Sequence, residues 1–310
     1  QKPESVAMSV KRLLLQDPSP KNAHAAAWRW RAIGERSLPI VRQLYDHPDE
    51  LPRLAALRAG GGLADPLSVP YLIEMATSEV GLGSRLDAID LLSNMPSDYR
   101  IEVGLRPLLD TNDLEIRLRT AEVLADRQDP AIKQYVVNKK FNLILVPSSH
   151  NMVYVTQTGW PKIILTGDIE IERPLTLSAW NNHLIVKDSE EEFKVDVRYQ
   201  KSDKHNAVHQ TVNADLPTFT MFLAHLTTPE DPAPGLNLSY SRTIGAIHAL
   251  WKQNYLNADF KVEQDRLLAA IQRLKTETSY TPRPDFGNEV PTDGDDRFLL
   301  ENDSSLMKKD

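Results

Sequence analysis

The sequence predicts two architectures in tandem. Residues 1–137 form an α-solenoid of short helical repeats, and residues 138–276 form an α+β domain, an antiparallel sheet with packed helices. An extended or disordered tail follows over 277–310. Three observations carry this reading. Arg53-Leu54-Ala55-Ala56-Leu57, Arg85-Leu86-Asp87-Ala88-Ile89 and Arg117-Leu118-Arg119-Thr120-Ala121 share one pattern at intervals of 32 residues. Asp65-Pro66 and Asp129-Pro130 stand 64 residues, or two periods, apart. Such a period marks stacked units, none of which buries its apolar face alone. Beyond residue 138 the apolar period falls to two, that of half-buried strands.

Each element follows in order. Val6 to Leu15 reads as a helix ended by Asp17-Pro18-Ser19-Pro20, because proline lacks the N–H and restricts its predecessor. Helices are then expected in pairs: Asn22–Gly34 with Leu38–Tyr45, Leu51–Ala59 with Val69–Thr77, Ser84–Leu92 with Ile101–Leu109, and Leu114–Ala125 with Ala131–Val137. Gly60-Gly61-Gly62 reads as a break after the second unit's first helix. Strands are expected at Phe141–Val146, Met152–Thr156, Pro161–Thr166, Ile169–Glu172, Leu175–Ser178, His183–Lys187 and Phe193–Tyr199. Helical period returns at Leu216–Leu226, Ser241–Gln253 and Gln264–Leu274, with a short strand at Phe260–Val262.

Arg-Leu-x-Ala at a helix start, Asp-Pro in a turn and Val69-Pro70-Tyr71-Leu72 opening the partner helix resemble HEAT-like repeats of the short, phycobilisome-lyase type, over roughly residues 22–137. The resemblance implies a protein-binding scaffold and no single activity. The second unit departs from it, with Ser97-Asp98 in place of Asp-Pro. The whole chain is also similar in composition to exported cell-envelope proteins that join such repeats to a β-rich domain, some linked to flagellar ring parts.

With 41% hydrophobic and 25% charged residues the composition is that of a globular protein. A net charge of −7 argues against nucleic acid as the main partner. No apolar run reaches the length of a membrane span. The absence of cysteine removes disulfides, thiol catalysis and cysteine metal sites. The start at Gln1 fits removal of an export signal as well as any other cut, and export is slightly favoured.

Chemistry is sparse. His205 and His209 have the spacing of a helical metal pair, but Asn206 stands where a zinc protease needs glutamate, so a solvated loop is the plainer reading. Asp293-Gly294-Asp295-Asp296 lacks the ordered ligands of a calcium loop. No cofactor motif occurs. The sequence therefore points to a non-catalytic scaffold or assembly protein with protein partners, its tail available for self-assembly. The candidate contact residues are Trp28, Trp30, Arg53, Arg85, Arg117 and Trp160. Trp28 and Trp30, two apart, cannot share a helix face. The arginines read either as a basic ladder for an acidic partner or as bonds aligning the stack. Two alternatives are a hydrolase site around His183, His205 and His209, and a ligand- or glycan-binding sheet using Trp160 and Trp180.

Overall fold

The computed structural model describes residues 2–79, 81–202, 205–266 and 268. Eight helices come first: α1 (Pro3–Gln16), α2 (Pro20–Ile33), α3 (Leu38–Val41), α4 (Glu50–Gly62), α5 (Val69–Thr77), α6 (Leu82–Ser93), α7 (Tyr99–Leu105) and α8 (Leu114–Asp126). Side-chain caps start several of them. Ser19 accepts from the Asn22 N–H, Asp98 from Arg100, and Asp113 from Glu115 and Ile116. Prolines occupy the first turns of α1, α2, α3 and α5, where their missing N–H costs nothing. In one layer α2, α4, α6 and α8 pack each on the next; in the other α1 packs on α3 and α5 on α7. The architecture is compatible with the expected solenoid.

The sequence markers have identifiable roles. Asp65 and Asp129 are both 1% exposed. Each caps its own turn, Asp65 accepting from the Leu67 N–H and Asp129 from the Ala131 N–H. Each also pairs with an arginine of the preceding second-layer segment, Arg42 to Asp65 at 2.8 Å and Arg106 to Asp129 at 3.0 Å. The arginine and aspartate thus keep one spacing in both units, and the pair locks one repeat to the next. Burial pushes the Asp65 carboxyl up, but hydrogen bonds from Arg42, Tyr45 and the Leu67 N–H outweigh it and hold the group below its ordinary value.

Beyond Asp129-Pro130 the helix expected at Ala131–Val137 does not form. Nine strands follow: β1 (Lys133–Val137), β2 (Phe141–Val146), β3 (Met152–Val155), β4 (Lys162–Thr166), β5 (Thr176–Ala179), β6 (Leu184–Asp188), β7 (Lys194–Tyr199), β8 (Val208–Asn213) and β9 (Asp259–Val262). Helices α9 (Leu216–Ala224) and α10 (Tyr240–Lys252) lie between β8 and β9. The β1–β2 turn places Asn138 and Lys139 at positive φ, and the Lys140 N–H donates to the Val137 carbonyl at 2.8 Å. That reversal, after β-branched Val136-Val137, selects a hairpin over a helix.

The first sheet has the order β1-β2-β4-β3-β9, with β2–β4 and β3–β9 parallel. The expectation of an antiparallel sheet holds in part here, since β1–β2 and β3–β4 are antiparallel, and the two parallel pairs have a physical reason. Both faces are covered, the condition under which parallel pairs occur. Ile144, Val146, Met152, Tyr154 and Ile164 join the core of the helical layers. Leu143, Val153, Val155, Ile163 and Leu165 join a second core with α9, α10 and the other sheet. The sheet thus stands where the last unit's second helix was expected. The second sheet, β5-β6-β7-β8, is an antiparallel meander that buries Leu177, Leu184, Val186, Val195, Val197 and Val212 on one face. The expected strand at Ile169–Glu172 is reduced to two isolated bridges. Most of the expected helix Gln264–Leu274 and the whole tail 277–310 lie outside the described residues.

A candidate binding groove on the first helical layer

The three repeated arginines turn inward. Arg53 donates to the His47 carbonyl at 3.1 Å, Arg85 to the Ala76 carbonyl at 2.9 Å and Arg117 to the Thr111 carbonyl at 2.8 Å. Each thus ties the start of one unit to the C-terminal carbonyls of the segment before it. All three are half-buried, and burial lowers the affinity of the Arg117 guanidinium for its proton against the opposing field of Asp113, Asp259 and Asp110. Trp30 is fully buried, with its indole N–H donating to the Ala7 carbonyl, so it belongs to the core that holds α1. Trp160 is 51% exposed and bonded to the Asn142 side chain on the sheet. The structure does not bring these six candidates into one site.

Trp28 is different. It is 67% exposed and lies in an open groove over α2, α4 and α6. His24, Trp28 and Arg31 form one stripe of α2, at helical spacings of four and three residues. Opposite stand Arg58, Gly61, Gly62, Asp87, Asp90 and Asn94.

The floor explains the glycine triplet. Gly60, Gly61 and Gly62 are helical and form the last turn of α4, which ends at Gly62 rather than before the triplet. A glycine costs about 1 kcal/mol relative to alanine in a helix interior and less in a last turn, and each of the three has a packing cause. A Cβ on Gly60 would fall 2.0 Å from the Tyr45 hydroxyl, and one on Gly61 3.0 Å from the Leu91 Cβ. A Cβ on Gly62 would fall 2.5 Å from Arg31 Nε. The bare backbone of Gly62 therefore lets the Arg31 side chain lie across α4.

Electrostatics single out the same end of the layer. Arg58 pairs with Asp87 across α4 and α6, and Arg119 with Asp90 across α6 and α8. At the far end Arg266 bonds Glu115 at 2.6 Å and Glu122 at 3.3 Å. Burial disfavours the Arg266 charge, but hydrogen bonds and charge from these acids overcome it and raise its pKa. These arginines on or against α4, α6 and α8 are thus paired with acids. Among the described residues Arg31 has no ion pair or side-chain hydrogen bond, and it faces the groove beside an exposed indole. Sequence reasoning found Trp28 but missed Arg31, Arg58 and the floor. The glycine triplet was the available signal.

The other candidates are scattered. His183 bonds the Gln200 carbonyl, His205 bonds Ser202, and His209 is exposed on β8. Among the described residues no three His, Asp or Glu side chains are grouped to hold a metal. Trp180 is half-buried, with the Arg242 guanidinium 5.9 Å from its ring. No helix among the described residues is long and apolar enough to cross a membrane.

No family model matches the chain, and no curated protein does. Among solved structures, the complex of CpcE and CpcF of phycocyanin lyase from Nostoc sp. PCC7120 is similar over 40% of this chain and 79% of that one, with 17% identity and a TM-score of 0.35.

Proposed function

We propose that the protein is a non-catalytic binding scaffold that holds a segment of a partner protein in the groove over α2, α4 and α6. The observation that carries this reading is Trp28, a solvent-facing indole beside an unpaired arginine on a glycine floor. Exposed Trp and Arg side chains are the residue types that dominate binding energy when a partner buries them. Trp28 supplies apolar area at low entropic cost, and Arg31 supplies a forked cation suited to a carboxylate.

The test is a photo-crosslinking amino acid at position 28, with the same group at Tyr99 as a control. Tyr99 is 77% exposed on the other helical layer. The expected result is a discrete adduct with another polypeptide from position 28, weakened several-fold by Arg31→Glu, and none from position 99. Equal adducts at both positions, or none at 28, would overturn the reading.

A further inference from the structure

We infer that the free edge of β1 is a second docking site, which takes an extended segment of a different protein as an added strand. The inference is independent of the groove over α2, α4 and α6. It starts from unmet hydrogen bonds. β1 stands at the end of the first sheet, with β2 as its neighbour on one side. Among the described residues no backbone N–H or carbonyl of Gln134, Tyr135 or Val136 has a partner beyond that ladder. Alternate residues of a strand turn these groups outward, so half of the row is left for water or for another strand. Proline and bulges are the usual guards of such an edge. β1 has no proline, and Lys133–Val137 pairs with β2 residue for residue.

The side chains of this edge are apolar and open to solvent, Tyr135 at 40% and Val136 at 67% exposure. They stand on opposite faces of the sheet. Leu143, opposite Tyr135, joins the core under α9 and α10, whereas Ile144, opposite Gln134, joins the core of the helical layers. On the α9 side Tyr135 and Val137 open onto a recess of about 420 Å³ walled by Val212, Met221, Phe222 and Pro234. On the other side Val136 stands opposite Asn142, which holds the Trp160 indole. A strand added to β1 sets every second side chain over the recess and the others beside Val136. In this mode backbone pairing supplies affinity and the recess selects the side chain.

Charge decides the occupant. Lys133 and Lys139 flank the edge, are exposed, and have no ion pair among the described residues. Lys140 between them is spent on the Ala224 and Leu238 carbonyls. Of the nearby acids, Asp126 ends α8 and Asp231 stands 3.8 Å from His225 on the wall of the recess; neither pairs with a lysine. A second copy would add its own β1 antiparallel across a two-fold axis. Centred on Tyr135, that pairing sets Lys133 of one copy beside Val137 and near Lys139 of the other, with like charges at both ends. A strand with an acid at each end meets the same lysines with opposite charge. The occupant is therefore a segment of another protein, apolar at alternate positions between acids.

The probe is the peptide acetyl-Glu-Thr-Val-Thr-Leu-Thr-Glu-amide, added to the full chain and followed by calorimetry and hydrogen-exchange mass spectrometry. The expected result is binding that slows amide exchange in Lys133–Val137 and leaves Val208–Asn213, the edge of the second sheet, unchanged. N-methylation of one alternate set of peptide residues should weaken binding about tenfold or more, and methylation of the other set should be tolerated, because only one edge of the peptide faces β1. Tyr135→Thr, a good strand former at an exposed position, should weaken binding several-fold. Lys133→Glu with Lys139→Glu should move the preference to the same peptide with lysine at both ends. No binding at millimolar peptide, protection away from β1, or equal loss from either methylated set would overturn the inference. A dimer that forms without peptide and protects Lys133–Val137 would give the edge to a second copy and overturn the assignment to a different protein.

Discussion

Alanine at Gly60 and at Gly62 should have opposite effects on stability, although the glycines lie two residues apart in one helix. Each change gains helix propensity, up to about 1 kcal/mol at a helix-interior position and less at Gly62, the last residue of α4. At Gly60 the new Cβ meets the Tyr45 ring, 2.0 Å from the hydroxyl and 2.7 Å from Cζ. Tyr45 is 2% exposed and donates to Asp65 at 2.8 Å, so it has nowhere to move without breaking that bond. Overpacking costs about 1–3 kcal/mol and loss of a hydrogen bond to a charged group about 1.5–3 kcal/mol. Gly60→Ala should therefore destabilise by about 2–4 kcal/mol net of propensity. At Gly62 the Cβ meets Nε, Cδ and Cζ of Arg31, the far end of a side chain that can swing into solvent. Gly62→Ala should be stabilising by a few tenths to about 1 kcal/mol, while displacing Arg31 and weakening the position-28 adduct. Urea denaturation with tryptophan emission gives both free energies. Tyr45→Phe in the Gly60→Ala background, which removes the nearest atom, should recover part of the loss. A neutral or stabilising Gly60→Ala would refute the claim that close approach of Tyr45 fixes this glycine.

Three further outcomes follow from the ion pairs and clamps. The Asp65 carboxyl is held below its unfolded value, so its stabilisation is complete above about pH 4 and is lost as pH falls through the lower folded value. Asp65→Asn should cost about 1–3 kcal/mol at pH 7, since Arg42 is partly solvated, and the gap from wild type should narrow in acid unfolding titrations below about pH 4. Arg266→Met should leave Glu115 and Glu122 poorly satisfied, cost about 3 kcal/mol, and speed hydrogen exchange in α8 and β9; adding Glu115→Gln should recover part of the loss. Lys140 donates to the Ala224 carbonyl, the Asn237 side chain and the Leu238 carbonyl. Lys140→Met should cost about 2 kcal/mol and loosen the end of α9, seen as faster amide exchange at Leu223 and Ala224.

The parts of the fold that were legible in the sequence are those where one residue type has one local job. Arg53, Arg85 and Arg117 recur because each unit needs a donor for the carbonyls before it. Asp65 and Asp129 recur because each turn needs a buried cap. The misread segments are those whose structure depends on distant neighbours. Lys133–Val137 stands where the repeat predicts a helix, and its strand is fixed by pairing with β2. Val208–Asn213 reads as a polar loop because β8 is an edge strand with only Val212 buried. The near-continuous apolar runs of β2, β3 and β4 already signalled a sheet covered on both faces. The groove was least legible, since it depends on which charges are paired, and pairing is a property of the stack.

That dependence also explains why the open site lies at α2. Arg58 on α4 meets Asp87 on α6, and Asp90 on α6 meets Arg119 on α8. One repeat earlier than Asp87 and Arg58 the register gives Ala55 and Ala26, small residues that are buried between α2 and α4. Close approach of α2 to α4 replaces the ion pair there, and Gly61 and Gly62 continue it along the helix. Among the described residues Arg31 is left above this junction without an ion pair, because Asp87 and Asp90 across the groove are engaged by Arg58 and Arg119. A designed test is Gly62→Asp, which would place a carboxylate beside Arg31. If an unpaired arginine is what makes the groove a site, this change should abolish the position-28 adduct while leaving the fold intact. Adduct formation at the wild-type level would show that Trp28 binds without the cation, and the electrostatic half of the reading would fall.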